Sequence, residues 1–200
     1  MPNKKSSTTT QVPKFIVLIG RFLYRISPNL AEKFARKLFI TPIKHKIPKR
    51  EFQMEATSQQ TKLVVPTINK EIVVYAYGNS SKKILLVHGW SGRGTQLYKI
   101  ADELLQNDFT VISFDAPGHG KSPGNKSIMI EFIASIFELE KQFGPFDVAI
   151  GHSLGGMSLI NSVSKGLQVR KLVSISAGNV IHDIIVDFVG KLKMKPKQVD

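Results

Sequence analysis

Residues 146–163 read Phe146-Asp147-Val148-Ala149-Ile150-Gly151-His152-Ser153-Leu154-Gly155-Gly156-Met157-Ser158-Leu159-Ile160-Asn161-Ser162-Val163. An apolar segment, a turn built on glycines and a stretch at helical spacing follow one another without a break, which predicts strand, sharp turn, helix. Gly151-x-Ser153-x-Gly155 sits at the junction. So tight a passage from strand to helix forces Ser153 into a strained backbone conformation that projects its hydroxyl outward. Side chains at 151 and 155 would collide with neighbouring backbone, hence glycine at both. The free N–H groups and dipole of the helix start favour negative charge beside Ser153.

Working outward, the same cycle recurs. Ile84 to Val87 is a continuous apolar run, as in a strand buried on both faces, and ends in His88-Gly89-Trp90. Leu97, Ile100, Ala101, Leu104 and Leu105 follow at helical spacing, then a strand over 109–114 ends in Asp115-Ala116-Pro117-Gly118-His119-Gly120. Residues 129–143 predict a helix, 146–150 a strand, 154–163 a helix, 171–175 a sixth strand and 180–192 a further helix. Such alternation implies a mostly parallel α/β sheet with helices on both faces, and a site beyond the carboxyl ends of the strands. Upstream, Phe52, Met54 and Ala56 alternate with polar residues, as do parts of 61–65 and 71–77; these predict half-exposed antiparallel strands at one edge.

The loop after Val87 is placed to supply a second backbone donor. The N–H groups of Trp90 and Leu154 are the candidate oxyanion pair, each such donor contributing about 3 kcal/mol to transition-state stabilisation. The Trp90 side chain is expected to line the substrate pocket. His88 is expected to order that loop, Asp115 and His119 to shape a tight turn, and the His152 ring to pack aside. Asp183 and Asp187 are expected to be surface charges.

The three motifs together resemble the α/β-hydrolase superfamily: His88-Gly89-Trp90, then Asp115-x-Pro117-Gly118-His119-Gly120-Lys121-Ser122, then Gly151-His152-Ser153-Leu154-Gly155-Gly156, in family order over residues 50–180. The resemblance implies an eight-stranded sheet, a helical cap after the sixth strand, and a Ser–His–acid triad with Ser153 as nucleophile. The last histidine, His182, lies too early to be that family's base. The catalytic acid and His are therefore expected beyond Asp200, with the chain a fragment ending near the start of the cap, inactive and poorly stable by itself. A Ser at the turn argues against dehalogenase and epoxide hydrolase chemistry, which use Asp there. The implied function is hydrolysis of a carboxylic ester or related acyl group, the substrate being a small-molecule acyl compound or a lipid ester. The alternative is an inactive binding or membrane-associated module on the same fold.

Composition bounds the rest. The 200 residues carry 28 Lys and Arg against 15 Asp and Glu, a net charge of +13, and no Cys, which excludes disulfides, thiolate metal sites and a Cys nucleophile. Residues 1–50 hold 12 of the bases and one acid, Glu32, so the rest of the chain is nearly neutral. This divides the chain into a basic, partly helical extension, 1–48, and a hydrolase-like core, 49–200. The extension reads either as helices packed on the core or as a basic amphipathic anchor on anionic lipid through residues 12–40. Arg21 interrupts the apolar run and no cleavage site follows, against a signal peptide, so a cytoplasmic location is expected, soluble or peripheral to a membrane. Nucleic acid is not expected as a partner, since the basic segment lacks a recognised motif. No cofactor or metal is expected: Gly89-x-x-Gly92-x-Gly94 lacks the spacing and following Lys of a phosphate loop.

Overall fold

The computed structural model describes residues 12–178 and 181–193. They fall into two compact units, residues 40–178 in one, and the helices before 40 and after 180 in the other.

The larger unit is a six-stranded sheet: β1 (Gln59–Val65), β2 (Lys70–Tyr77), β3 (Lys83–Val87), β4 (Thr110–Asp115), β5 (Phe146–His152) and β6 (Val169–Ile175), in the spatial order β1-β2-β4-β3-β5-β6. β1 and β2 are antiparallel to their neighbours; β4, β3, β5 and β6 run parallel, as the alternation predicted. Side chains on β3 and in the middle of β4 and β5 are mostly apolar in both directions because each face is covered there, whereas β6 at the edge is largely exposed. Leu85, Val87, Ile112, Phe114 and Ala149 pack with Phe132, Ile136 and Leu139 of a helix at Met129–Phe143 and Leu159 of one at Leu154–Ser164. Ile84, Leu86, Val111 and Ile150 face the other way, toward Ala101 of a helix at Tyr98–Gln106 and toward Met54. Phe114 and Phe132 are both wholly buried; truncating either to Ala would cost about 3–5 kcal/mol.

Two expectations at the first edge are corrected. Residues 52–57 form a helix rather than a strand. The alternation of Phe52, Met54 and Ala56 is coincidental: the buried positions are Glu51, Met54 and Ser58, at helical spacing, while Phe52 is half-exposed. A charged residue at one of the inward positions conceals the helical period. β2 is also not half-exposed. Ile72 to Tyr75 are all buried, because β2 lies between β1 and β4 and is covered on both faces.

In chain order the helices are α1 (Lys14–Ile26), α2 (Pro28–Phe39), α3 (Phe52–Thr57), α4 (98–106), α5 (129–143), α6 (154–164) and α7 (Ile181–Lys191). The smaller unit contains α1, α2 and α7. Ala31 and Ala35 of α2 and Leu192 are buried, with Ile16, Leu23, Tyr24, Leu38, Phe188 and Val189 packed around them. Pro28 opens α2 at a position where its missing N–H costs nothing.

Candidate active site

β5 delivers the chain to Ser153, which has φ +51° and ψ −118° and caps α6. That is a backbone region which L-residues occupy only at a cost of order 1–3 kcal/mol, so the surroundings must hold it there. They do so from both sides. The Ser153 N–H donates to the Ile175 carbonyl at the end of β6 (2.8 Å), and its own carbonyl accepts from the Met157 N–H (3.0 Å). A methyl group at Gly151 would lie 2.6 Å from the backbone of Gly155 and Gly156, and one at Gly155 would lie 2.4 Å from the Val87 carbonyl oxygen. Both clashes are with main chain that cannot yield, as expected from the spacing.

The loop after β3 comes up against this turn. A methyl group added at Gly89 would sit 3.2 Å from Ser153 Cβ and 3.0 Å from His152 Nδ1. Trp90 follows at once, its half-buried ring meeting His119 edge-on at 5.2 Å. Leu154 is the first residue of α6, and its side chain packs against the apolar core. Ser153, Trp90 and Leu154 therefore lie at adjoining loop and helix ends at the carboxyl edge of β3 and β5. The His152 ring is half-buried, with Nδ1 enclosed and without a partner.

His88 anchors the loop. Its Nδ1 donates to the Gly89 carbonyl (2.7 Å) and its Nε2 accepts the Ala116 N–H (3.0 Å), which requires the neutral ring protonated on Nδ1. Burial pushes its pKa down to about 4. His119 contacts His88, Trp90 and Phe132, with Nδ1 3.0 Å from the Pro117 carbonyl and Nε2 buried without a partner. Burial, and then the neighbouring His88, push it down to about 3. Both rings are packing elements between the loops after β3 and β4.

Asp115 is a second brace. Its buried carboxylate accepts from Tyr75 Oη (2.9 Å), the Gly94 N–H (2.6 Å) and the Lys121 N–H (2.7 Å). Burial raises its pKa despite these donors. It thus fixes the far end of the Trp90 loop to the turn after β4. A third brace has no signature in the local sequence. Glu51, wholly buried, takes a bidentate pair from Arg93 (2.6 and 2.9 Å) and a hydrogen bond from Thr95 Oγ1 (2.7 Å). The partners are 42 and 44 residues apart, so only the fold brings them together.

A cavity of about 350 Å³ lies at the opposite, amino-terminal ends of β3, β5 and β6, lined by Ser81, Lys83, Asp147 and Arg170 among others, and is separate from the Ser153 turn. Among the described residues no cluster of His, Asp and Glu could hold a metal.

The family model of the alpha/beta hydrolase fold matches residues 82–192, more than half of the chain. The chain belongs to the α/β-hydrolase fold family. It is 27% identical over 138 residues to a serine hydrolase-like protein of Dictyostelium discoideum, covering 64% of this chain and 35% of that protein. It is 29% identical over 101 residues to a pimeloyl-[acyl-carrier protein] methyl ester esterase of Klebsiella pneumoniae, covering 50% and 38%. The esterase of Exiguobacterium antarcticum has the same fold, with a TM-score of 0.55 and 22% identity over 60% of this chain and 46% of that one. The chain thus spans little more than a third of the length of these curated relatives.

Proposed function

We propose that this chain carries the nucleophile and oxyanion-binding part of a serine hydrolase that cleaves a carboxylic ester or a related acyl group. The observation that carries the reading is the backbone of Ser153: φ +51° at the cap of α6, against the Gly89 loop. A strained residue held from several sides, at a strand end and a helix start, is where such folds expose a nucleophile.

In this mechanism Ser153 Oγ attacks the acyl carbon, and the carbonyl oxygen, gaining negative charge, turns toward the N–H groups of Leu154 and Trp90. The positive end of α6 adds to their field. The half-buried Trp90 ring borders the acyl or leaving group. Proton transfer from Ser153 needs a base, and none of the described histidines hydrogen-bonds its hydroxyl. His88 has both ring nitrogens engaged and His119 is enclosed, so the reading assigns base and carboxylate to residues outside those described. The ester named for the Klebsiella relative supports an ester substrate over an amide.

The test is p-nitrophenyl ester hydrolysis by the 200-residue chain and by the whole gene product. The chain alone should be inactive and the whole product active, with Ser153→Ala abolishing turnover. Vigorous Ser153-dependent hydrolysis by the chain alone would contradict the assignment of the base.

A further inference from the structure

In the smaller unit, α1 uses only part of its circumference for packing. Ile16, Gly20, Leu23 and Tyr24 face α2 and α7. At 100° per residue a second stripe falls on Phe15, Leu18, Ile19, Phe22 and Ile26. Each of these large apolar side chains is 43–64% exposed. A helix with two apolar faces, one packed and one in water, has an unmet partner. Along one border of the open stripe run Lys14, Arg21 and Arg25, all exposed, and α1 contains no acid. Residues 12–39 hold six Lys or Arg against Glu32 alone.

We propose that this stripe of α1 seats at the surface of an anionic membrane, its aromatic and aliphatic side chains entering the headgroup boundary and its cations meeting lipid phosphates. Charge selects this occupant. A stripe edged by one sign of charge, with no acid on its helix, complements a uniformly negative layer. Of the other exposed apolar residues of the unit, Leu30 stands by itself on α2, and Ile184, Ile185 and Val186 on α7 lie between Asp183 and Asp187, which such a layer repels. Among the described residues no helix is long and apolar enough to cross a membrane, so the contact is peripheral. The inference is independent of the role given to Ser153.

Co-sedimentation of the 200-residue chain with phosphatidylcholine vesicles, with or without about one-third phosphatidylglycerol, tests it. Binding is expected only to the anionic vesicles and should fall steeply with salt. Arg21→Gln with Arg25→Gln should weaken binding about 25-fold, at about fivefold per cation. Phe15→Ser with Phe22→Ser should weaken it at least about tenfold. The exposed pair Lys126→Gln and Lys165→Gln removes the same charge elsewhere and should change it by less than about twofold. None of these side chains belongs to the packed face, so lipid-free circular dichroism should match wild type. Leu18→Gln with Ile26→Gln replaces the aromatic pair if that variant fails to fold. Equal binding to both vesicle types, an equal loss in the Lys126 and Lys165 control, or no effect of the apolar substitutions overturns the proposal. So does a lipid-free dimer that Phe22→Ser dissociates, which would assign the stripe to a second copy.

Discussion

Acidification from pH 7 to pH 5 should cost the fold about 4 kcal/mol through His88 and His119 alone. Both rings are neutral in the folded chain, their pKa values held down to about 4 and about 3 by burial. Once unfolded, each returns to an ordinary value near 6.5. Between these limits the unfolded chain binds protons that the folded chain refuses, so stability is full above about 6.5 and drains away as pH falls. At about 1.4 kcal/mol per pH unit per group, each imidazole accounts for about 2 kcal/mol between pH 7 and pH 5. Asp115 acts in the opposite direction, because burial raises its carboxyl and acidification favours its folded, protonated form. The informative quantity is therefore a difference between variants. His119→Phe keeps the aromatic packing against His88, Trp90 and Phe132, gives up the Pro117 contact, and removes a buried nitrogen without a partner. Urea unfolding of both proteins at pH 7 and pH 5 should show the variant losing about 2 kcal/mol less than the parent. An identical pH dependence in the two proteins would refute the claim that His119 is buried and neutral.

Two further substitutions test the braces of the site. Glu51→Ala strands the guanidinium of Arg93, which is only 11% exposed, and should destabilise the chain by about 3 kcal/mol in urea unfolding. Ser153→Gly relieves a positive-φ serine and should raise stability by about 1 kcal/mol, and on the proposed mechanism it should leave no ester hydrolysis. A loss of stability on that change would mean that the turn is not strained.

The parallel part of the sheet was legible because its signal is local. Three apolar runs end in glycine-rich loops and are separated by helical periods, and their order fixes which loops share the carboxyl edge. The turn at Ser153 was legible for the same reason, since the clashes at Gly151 and Gly155 involve backbone close by or on the neighbouring strand. The alternation of Phe52, Met54 and Ala56 points to a strand where the fold has a helix, because the inward positions of that turn are Glu51, Met54 and Ser58, and only the middle one announces itself as core. Glu51 is buried on account of Arg93, and nothing within a dozen residues of either betrays the other. His88 was expected to order the loop after β3; what the fold adds is the acceptor geometry that commits both its nitrogens. The exposed face of α1 illustrates the reverse case. Periodicity shows that the helix is apolar, but only packing separates the side that is used from the side left open.

Reaction of the whole gene product with a fluorophosphonate probe tests the central claim most directly. The account predicts stoichiometric labelling at Ser153, read by mass spectrometry of the peptide spanning 151–165 and absent from Ser153→Ala. Labelling at another serine, or labelling that survives Ser153→Ala, would contradict it.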